Sequence, residues 1–196
     1  DAKYIDVLEQ TLYNGLISGI GQNGTTFFYP NPLESDGRFL RAGWFTCSCC
    51  PGNIARFMPQ MPQYIYSTAA HQAYINLFVG SEADLNVDGE NIKIEMKTEY
   101  PWSGKVDITL YCARASHFTL NIRIPSWTGP ELFPGNLYRY IDGNTEKVIV
   151  MVNGEETSYK IVNGFATLDR KWRNGDRVTV EMSLKVRKVV AREEVK

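Results

Sequence analysis

The spacing of the apolar residues changes along the chain, and this change constrains the fold more than any other feature. In the segment YIDVLEQTLYNGLISGI, apolar residues such as Leu8, Leu12 and Leu16 recur at every fourth position, which places them on one stripe of a helix. From Gln63 onward, apolar and polar residues alternate in short runs bounded by turn residues. Alternation is typical of strands with one buried face. The sequence therefore predicts a short helical segment followed by a mainly β domain.

Three dipeptides mark where the strands turn back on themselves. Asp88-Gly89, Asn153-Gly154 and Asn163-Gly164 lie between alternating runs, and such pairs suit two-residue hairpin turns because both residues tolerate a positive φ. Hairpins at this spacing predict an antiparallel β-sandwich from about Gln63 to the C-terminal region. The segment from Thr128 to Lys147 has no clear period and is predicted to be a long loop.

The first sixty or so residues predict smaller elements. We expect a helix over residues 3–19, a short strand in TTFFYP (25–30), and a short helix that begins near Pro51 and is ended by Pro59 and Pro62. A helical stripe must be buried against another surface, and these pieces make a poor domain alone. We therefore interpret this part as the tail of a larger helical domain.

Composition excludes two classes of partner. The chain has 196 residues, 43% of them hydrophobic, which suffices for a packed core. Lysine and arginine number 21 against 22 aspartate and glutamate residues, and the scattered basic residues give no surface for nucleic acid. No apolar run approaches the roughly 20 residues that span a bilayer. We predict neither a nucleic-acid nor a membrane partner.

The stretch WFTCSCCPGNIARF concentrates cysteines before a proline. Pro51 favours the first position of a helix, which predicts Cys50 as the N-cap. Backbone N–H groups and the helix dipole lower the pKa of thiols there, so Cys47, Cys49 and Cys50 are predisposed to bind zinc or to attack carbon. Cys112, in the apolar run DITLYCARA, is predicted to be a buried small hydrophobe.

Spacing alone leaves the role of the cluster open. The paired CxxC pattern of structural zinc sites is absent, and His71 and His117 are single residues near strands, better explained as surface or packing residues than as ligands. Zinc binding or catalysis therefore competes with simple packing or a disulfide within the cluster. Thiol-disulfide exchange is disfavoured because it normally uses CxxC on a βαβ frame.

Several ordered stretches resemble the β-L-arabinofuranosidases of glycoside hydrolase family 127 and their close relatives. They cover nearly the whole chain and read LEQTLYNGLISGI, FFYPNPLES, WFTCSCCPGNIAR, FTLNIRIPSW, VNGE and DRKWRNGDRVTVEMSLKVR. One departure is that Gly52 follows Pro51, where relatives usually carry a second proline. The resemblance implies that residues 1–63 are the remnant of an (α/α) six-hairpin catalytic barrel. Residues 64–196 would form a β-sandwich domain running towards a truncated second sandwich.

The resemblance also assigns site residues. Family members hold zinc with a glutamate and three cysteines, and Cys49 and Cys50 match two of these ligands. Cys49 matches the nucleophile, and Tyr29 matches a pocket tyrosine that contacts the sugar or the thiolate. Cys47 matches no ligand and is expected to be a neighbouring buried thiol. Glu34 matches no acid/base residue and is expected to hydrogen-bond within its loop.

The implied function is that of the C-terminal part of a retaining glycoside hydrolase, which cleaves arabinofuranose-type sugars from glycans with a zinc-bound cysteine. The acid/base and the other zinc ligands have no counterpart here, so we expect the fragment to be inactive and to bind zinc weakly or not at all. The alternative is a carbohydrate-binding or structural β-sandwich, with Trp102, Trp127 and Trp172 as sugar-stacking residues. Zinc-thiolate sites function in cytoplasm or periplasm, so the compartment stays open.

Overall fold

The computed structural model describes residues 1–30, 32, 34–132, 134–142 and 146–195. The chain divides into two compact units. One contains Asp1–Asp6 and Tyr64–Lys196, and the other contains Val7–Gln63. Within the described residues, no helix is long and apolar enough to cross a membrane.

The helical elements cluster near the N-terminus. Helix α1 spans Ala2–Gln10 and continues as a π-helical turn over Thr11–Leu16 and a 3-10 turn over Ile17–Gly19. Helix α2 spans Cys49–Phe57, and further 3-10 segments cover Met58–Tyr64, Ser126–Thr128 and Glu193–Val195. The helix predicted over residues 3–19 is confirmed as a helical run, although its α-helical part ends at Gln10.

Side chains that bond backward to the backbone accompany the change from α to π geometry. Thr11 Oγ1 donates to the Val7 carbonyl at 2.8 Å, and Asn14 Nδ2 donates to the Gln10 carbonyl at 3.1 Å. These carbonyls are the ones that the N–H groups of Thr11 and Asn14 would engage in an α-helix. Such competition is why threonine and asparagine are poor residues for helix interiors.

The strands of the described chain form two large sheets and a small one. The strands are β1 Tyr66–Ala69, β2 Gln72–Ile75, β3 Ser81–Val87, β4 Glu90–Thr98, β5 Lys105–Cys112, β6 Ser116–Arg123, β7 Tyr138–Tyr140, β8 Ile149–Val152, β9 Glu155–Glu156, β10 Lys160–Val162, β11 Phe165–Trp172, β12 Arg177–Glu181 and β13 Val189–Ala191. In these residues the sheet orders are β1-β2-β6-β11-β10, β3-β4-β5-β12-β8-β9 and β13-β7. Neighbouring strands are antiparallel, except that β2 and β6 are parallel. The predicted mainly β, antiparallel fold is confirmed.

The core of the β unit consists of residues that alternate along the central strands. Ile108 and Leu110 of β5, and Leu120 and Ile122 of β6, are fully buried. Their immediate neighbours along the strands are mostly polar, so each large sheet has one apolar face. The predicted burial of Cys112 is also confirmed, since the residue is 5% exposed.

The three predicted hairpin turns are confirmed. Asp88-Gly89 joins β3 to β4, Asn153-Gly154 joins β8 to β9, and Asn163-Gly164 joins β10 to β11. In each pair both residues have a positive φ, between 51° and 85°, as two-residue type I′ turns require.

Two predictions of local structure were wrong. The segment TTFFYP is not a strand, because Phe27 makes only isolated bridges, to Ile20 and to Ala42. The segment from Thr128 to Lys147 is not all loop, because it contains β7, which pairs with β13. Strand β7 pairs with a segment some fifty positions later, which local periodicity does not reveal. Residues 133 and 143–145 of the predicted loop lie outside the described residues.

Candidate active site

The cysteine cluster lies at the start of α2. The helix begins at Cys49, with Ser48 as the N-cap residue, and the Gly52 N–H donates to the Ser48 carbonyl at 3.1 Å. The prediction that Cys50 is the N-cap was therefore wrong by two positions. Pro51 is the third helical residue, where its missing N–H still costs no helical hydrogen bond because the N–H groups of the first turn have no partner within the helix.

The two sulfur atoms predicted as zinc ligands lie next to each other and beside the predicted pocket tyrosine. Cys49 Sγ is 3.8 Å from Cys50 Sγ and 3.5 Å from the Tyr29 hydroxyl oxygen. Cys47 and Cys49 are exposed, Cys50 is half-buried, and all are free thiols. The disulfide alternative is thus not formed in this structure, and Cys47 is exposed rather than buried as expected.

The neighbours of Cys49 hold its pKa below the usual value for a thiol. The largest cause is the hydrogen bond from the Tyr29 hydroxyl, followed by those from Cys47 and Cys50, and the Cys50 backbone N–H contributes less. The same hydrogen bond makes Tyr29 less acidic, because donating to Cys49 raises the pKa of Tyr29 to about 12. Side-chain hydrogen bonds, and not the helix N–H groups that the sequence pattern indicated, are therefore the main cause of the lowered Cys49 pKa.

Cys50 responds in the opposite direction. Burial is the largest cause that raises the pKa of its thiol, and the hydrogen bond and the charge of Cys49 raise it further. Two negative sulfurs at this separation repel each other, so only one is readily ionised. The expectation that all three thiols are predisposed to be thiolates was wrong for Cys50.

The position of Tyr29 depends on aromatic neighbours that the sequence did not single out. The Tyr29 ring packs on Phe45, with 5.5 Å between ring centroids. On the adjoining residue, the Phe28 ring packs on Phe39 at 5.3 Å, and the Arg41 guanidinium lies 4.2 Å from its centroid. The only sequence signal was the aromatic content of FFYP and WF, which core packing also explains.

The sulfur spacing fits a shared zinc ion. Zinc–sulfur bonds of about 2.3 Å in a tetrahedral site place two thiolates about 3.8 Å apart, which is the distance between Cys49 Sγ and Cys50 Sγ. Among the described residues, no group of three or more His, Cys, Asp or Glu side chains is arranged to hold a metal. The cluster therefore fits half of a tetrahedral site.

Other candidate residues lie in different settings. His71 pairs with Asp88, and His117 Nε2 lies 3.7 Å from Asp169 Oδ1, as expected for exposed residues of the β unit. Glu34 is exposed. Trp172 is fully buried, and its indole N–H donates to the Phe118 carbonyl at 3.0 Å, so it is a core residue and not a sugar-stacking one.

The remaining tryptophans proposed for sugar stacking differ from each other. Trp127 is half-buried and stacks on Tyr100, with 6.4 Å between ring centroids. Trp102 is 90% exposed. Of the three, Trp102 alone presents most of its ring to solvent.

Known proteins with similar sequence and structure are carbohydrate-active enzymes. The sequence model of the GH127 β-L-arabinofuranosidase catalytic domain matches residues 1–63, and that of the GH127 middle domain matches residues 72–184. A non-reducing end β-L-arabinofuranosidase from Bifidobacterium longum subsp. longum is 32% identical in an alignment of 142 residues that covers 64% of this chain and 21% of that protein.

Solved structures agree with these matches. A GH127 β-arabinofuranosidase superposes with a TM-score of 0.95 at 43% identity, covering 100% of this chain and 31% of that one. A GH127 β-L-arabinofuranosidase from Geobacillus stearothermophilus T6 gives 0.85 at 34% identity, covering 100% and 30%. The fold is thus that of GH127 glycoside hydrolases. The chain belongs to glycoside hydrolase family 127, and it spans between 21% and 31% of the length of these relatives.

Proposed function

We propose that this chain supplies the nucleophile and one further metal ligand of a zinc-dependent retaining glycosidase, which removes arabinofuranose-type sugars from glycans. The observation that carries the proposal is the grouping of Cys49 Sγ with Cys50 Sγ at 3.8 Å and with the Tyr29 hydroxyl at 3.5 Å. The names of the relatives support the sugar class, since they are β-L-arabinofuranosidases.

The opposite pKa directions support different roles for the adjacent cysteines. Cys49 is the more acidic thiol because the Tyr29 hydroxyl donates to its sulfur, and a thiolate is the attacking form. Cys50 retains its proton more strongly and would release it to a metal. Bound between these sulfurs, zinc would keep both deprotonated at neutral pH.

The chain's residues would act in two displacements. In the first, a bond forms between Cys49 Sγ and the anomeric carbon while the bond to the leaving oxygen breaks, and a general acid protonates that oxygen. In the second, the conjugate base of that acid takes a proton from water as the water oxygen bonds to the anomeric carbon, the carbon–sulfur bond breaks, and Cys49 is regenerated as a thiolate. Tyr29 orients the sulfur in both steps through its hydrogen bond.

We also propose that the 196-residue chain is inactive alone. By the family resemblance, the acid/base glutamate and the other zinc ligands have no counterpart in this sequence. Without an acid, the leaving oxygen would depart as an alkoxide, which is a poor leaving group. We therefore expect no measurable release of arabinose from an alkyl-linked β-L-arabinofuranosyl disaccharide by the chain itself.

The test uses serine variants in an enzyme that contains this sequence together with the rest of the catalytic domain. Cys49→Ser should reduce turnover of 4-nitrophenyl β-L-arabinofuranoside by roughly a thousandfold or more, because a hydroxyl is a far weaker nucleophile. Cys50→Ser should lower activity through metal loss, with partial recovery in excess zinc. Cys47→Ser, the matched control, should change the rate only a few-fold. Near-normal turnover by Cys49→Ser would contradict the proposed nucleophile.

A further inference from the structure

The two large sheets of the β unit present different outward faces. The outward face of the six-stranded sheet carries ion pairs along neighbouring strands, which include Lys93 with Glu82 at 2.7 Å, Lys97 with Glu95 at 2.7 Å, and Lys105 with Asp107 at 3.1 Å. Alternating charges of this kind are typical of a face kept in water.

The outward face of the five-stranded sheet carries a patch of uncharged polar side chains. Gln72 and Tyr74 of β2 lie beside Thr119 and Asn121 of β6, and Asn121 lies beside Thr167 of β11. These side chains are amides, hydroxyls and an aromatic ring. Together they form the floor of a groove of about 660 Å³, within the usual size range of ligand sites. Asp1 is the one charged residue among the described residues that line it.

The polar floor is held in place by its own hydrogen bonds. The Tyr74 hydroxyl and the Asn121 amide both donate to Gln72 Oε1, at 2.5 and 3.1 Å, and Thr167 Oγ1 donates to Asn121 Oδ1 at 3.2 Å. The Tyr74 ring also packs edge-on against Phe165, with centroids 5.2 Å apart. Side chains already ordered in this way lose little conformational entropy when a ligand binds.

The first turn of α1 forms one wall of the groove. The Ala2 N–H donates to the Asn163 carbonyl at 2.8 Å, which fixes this turn against the β10–β11 hairpin. Tyr4, two residues after Ala2, also lines the groove, and it is 68% exposed. An exposed phenol ring at the wall of a polar groove can cover the apolar face of a sugar ring.

We propose that this groove is a second carbohydrate site, which binds a neutral oligosaccharide. Amides and hydroxyls both donate and accept hydrogen bonds, as sugar hydroxyls require. The described residues that line the groove include no lysine or arginine, which disfavours phosphate or uronate ligands. The amides and hydroxyls of the floor do not offer the row of apolar pockets that an amphipathic protein helix requires. The site goes beyond the proposed function and does not depend on Cys49, so either can fail without the other.

The test measures binding of arabinopentaose, a neutral probe, to the 196-residue chain by titration calorimetry. Tyr4→Ala should weaken binding roughly tenfold, because one stacked ring is worth about 1.4 kcal/mol. Tyr4→Phe, which keeps the ring, should bind within about twofold of the parent. Trp102→Ala removes an exposed aromatic residue outside the groove and should leave binding unchanged.

Three results would overturn the proposal. The first is no saturable binding up to about 10 mM probe by chains whose circular dichroism matches a folded β protein. The second is equal binding of oligogalacturonate, which would show that the groove does not select neutral sugars. The third is a concentration-dependent dimer, measured by sedimentation, that Tyr4→Ala dissociates, which would make a second copy of the chain the occupant.

Discussion

Arg123 is buried at the junction between the first turns of α1 and the five-stranded sheet. Its guanidinium donates to Asp6 Oδ1 at 2.7 Å and to the Asn76 carbonyl at 2.6 Å. The Arg123 side chain is 0% exposed and that of Asp6 is 7% exposed. We predict that Arg123→Met will destabilise the β unit strongly, although methionine fills much of the same space.

The expected loss follows from the charge left behind. Removing one partner of a buried ion pair costs about 3–5 kcal/mol, because the other charge stays buried and uncompensated. Asp6 would keep the Ser126 backbone N–H, a longer contact at 3.3 Å. For a chain of this size each kcal/mol lowers the melting temperature by about 2–4 °C. The variant should therefore melt about 6–20 °C below the parent.

The assay is thermal unfolding followed by tryptophan fluorescence, since Trp172 is buried in the same sheet. Arg114→Met is the matched control, because Arg114 pairs with Glu90 but its side chain is 76% exposed. Exposed pairs contribute about 0–1 kcal/mol, so this variant should unfold close to the parent. The reasoning would be refuted if Arg123→Met lost no more stability than Arg114→Met.

Two further predictions concern the cysteine cluster. Tyr29→Phe removes the main cause that lowers the Cys49 pKa, so less of the Cys49 thiolate should exist at pH 7. The pH profile of Cys49 alkylation, measured by iodoacetamide labelling and peptide mass spectrometry, should therefore move to higher pH. Tyr111→Phe, on β5, is the control, and an unmoved profile for Tyr29→Phe would argue against the hydrogen bond. The isolated chain should retain little zinc after dialysis, because two thiolates complete only half of a tetrahedral site. Stoichiometric zinc that resists a chelator would instead show that Cys47 or a histidine completes it.

The elements that sequence predicted well are those whose cause is local. The turn at Asn153-Gly154 needs two positive φ angles, and few residue pairs accept them, so the dipeptide alone locates the hairpin. Strands such as β4 and β5 alternate over 9 and 8 residues, which is long enough for their period to be unmistakable. The family resemblance added Cys49, Cys50 and Tyr29 as one site, and the structure brings these three together.

The elements that sequence missed depend on distant partners. Strand β7 has 3 residues and exists because it pairs with β13, some fifty positions later. In the same way, the sequence pattern indicates that the start of a helix lowers the Cys49 pKa. The main cause is instead the hydroxyl of Tyr29, 20 positions earlier in the chain. Neither the β7–β13 pairing nor the Tyr29–Cys49 hydrogen bond is indicated by the residues next to it in the sequence.

The adjacency of Cys49 and Cys50 itself makes unequal thiols. Both occupy the first turn of α2, so their sulfurs start from nearly the same backbone position and end 3.8 Å apart. At that distance ionisation of one opposes ionisation of the other. A small difference in pKa then decides which sulfur carries the charge. The hydrogen bond from the Tyr29 hydroxyl favours the thiolate of Cys49, and burial disfavours the thiolate of Cys50. Exchanging the roles that we propose for Cys49 and Cys50 would therefore require moving the tyrosine, not only the cysteines.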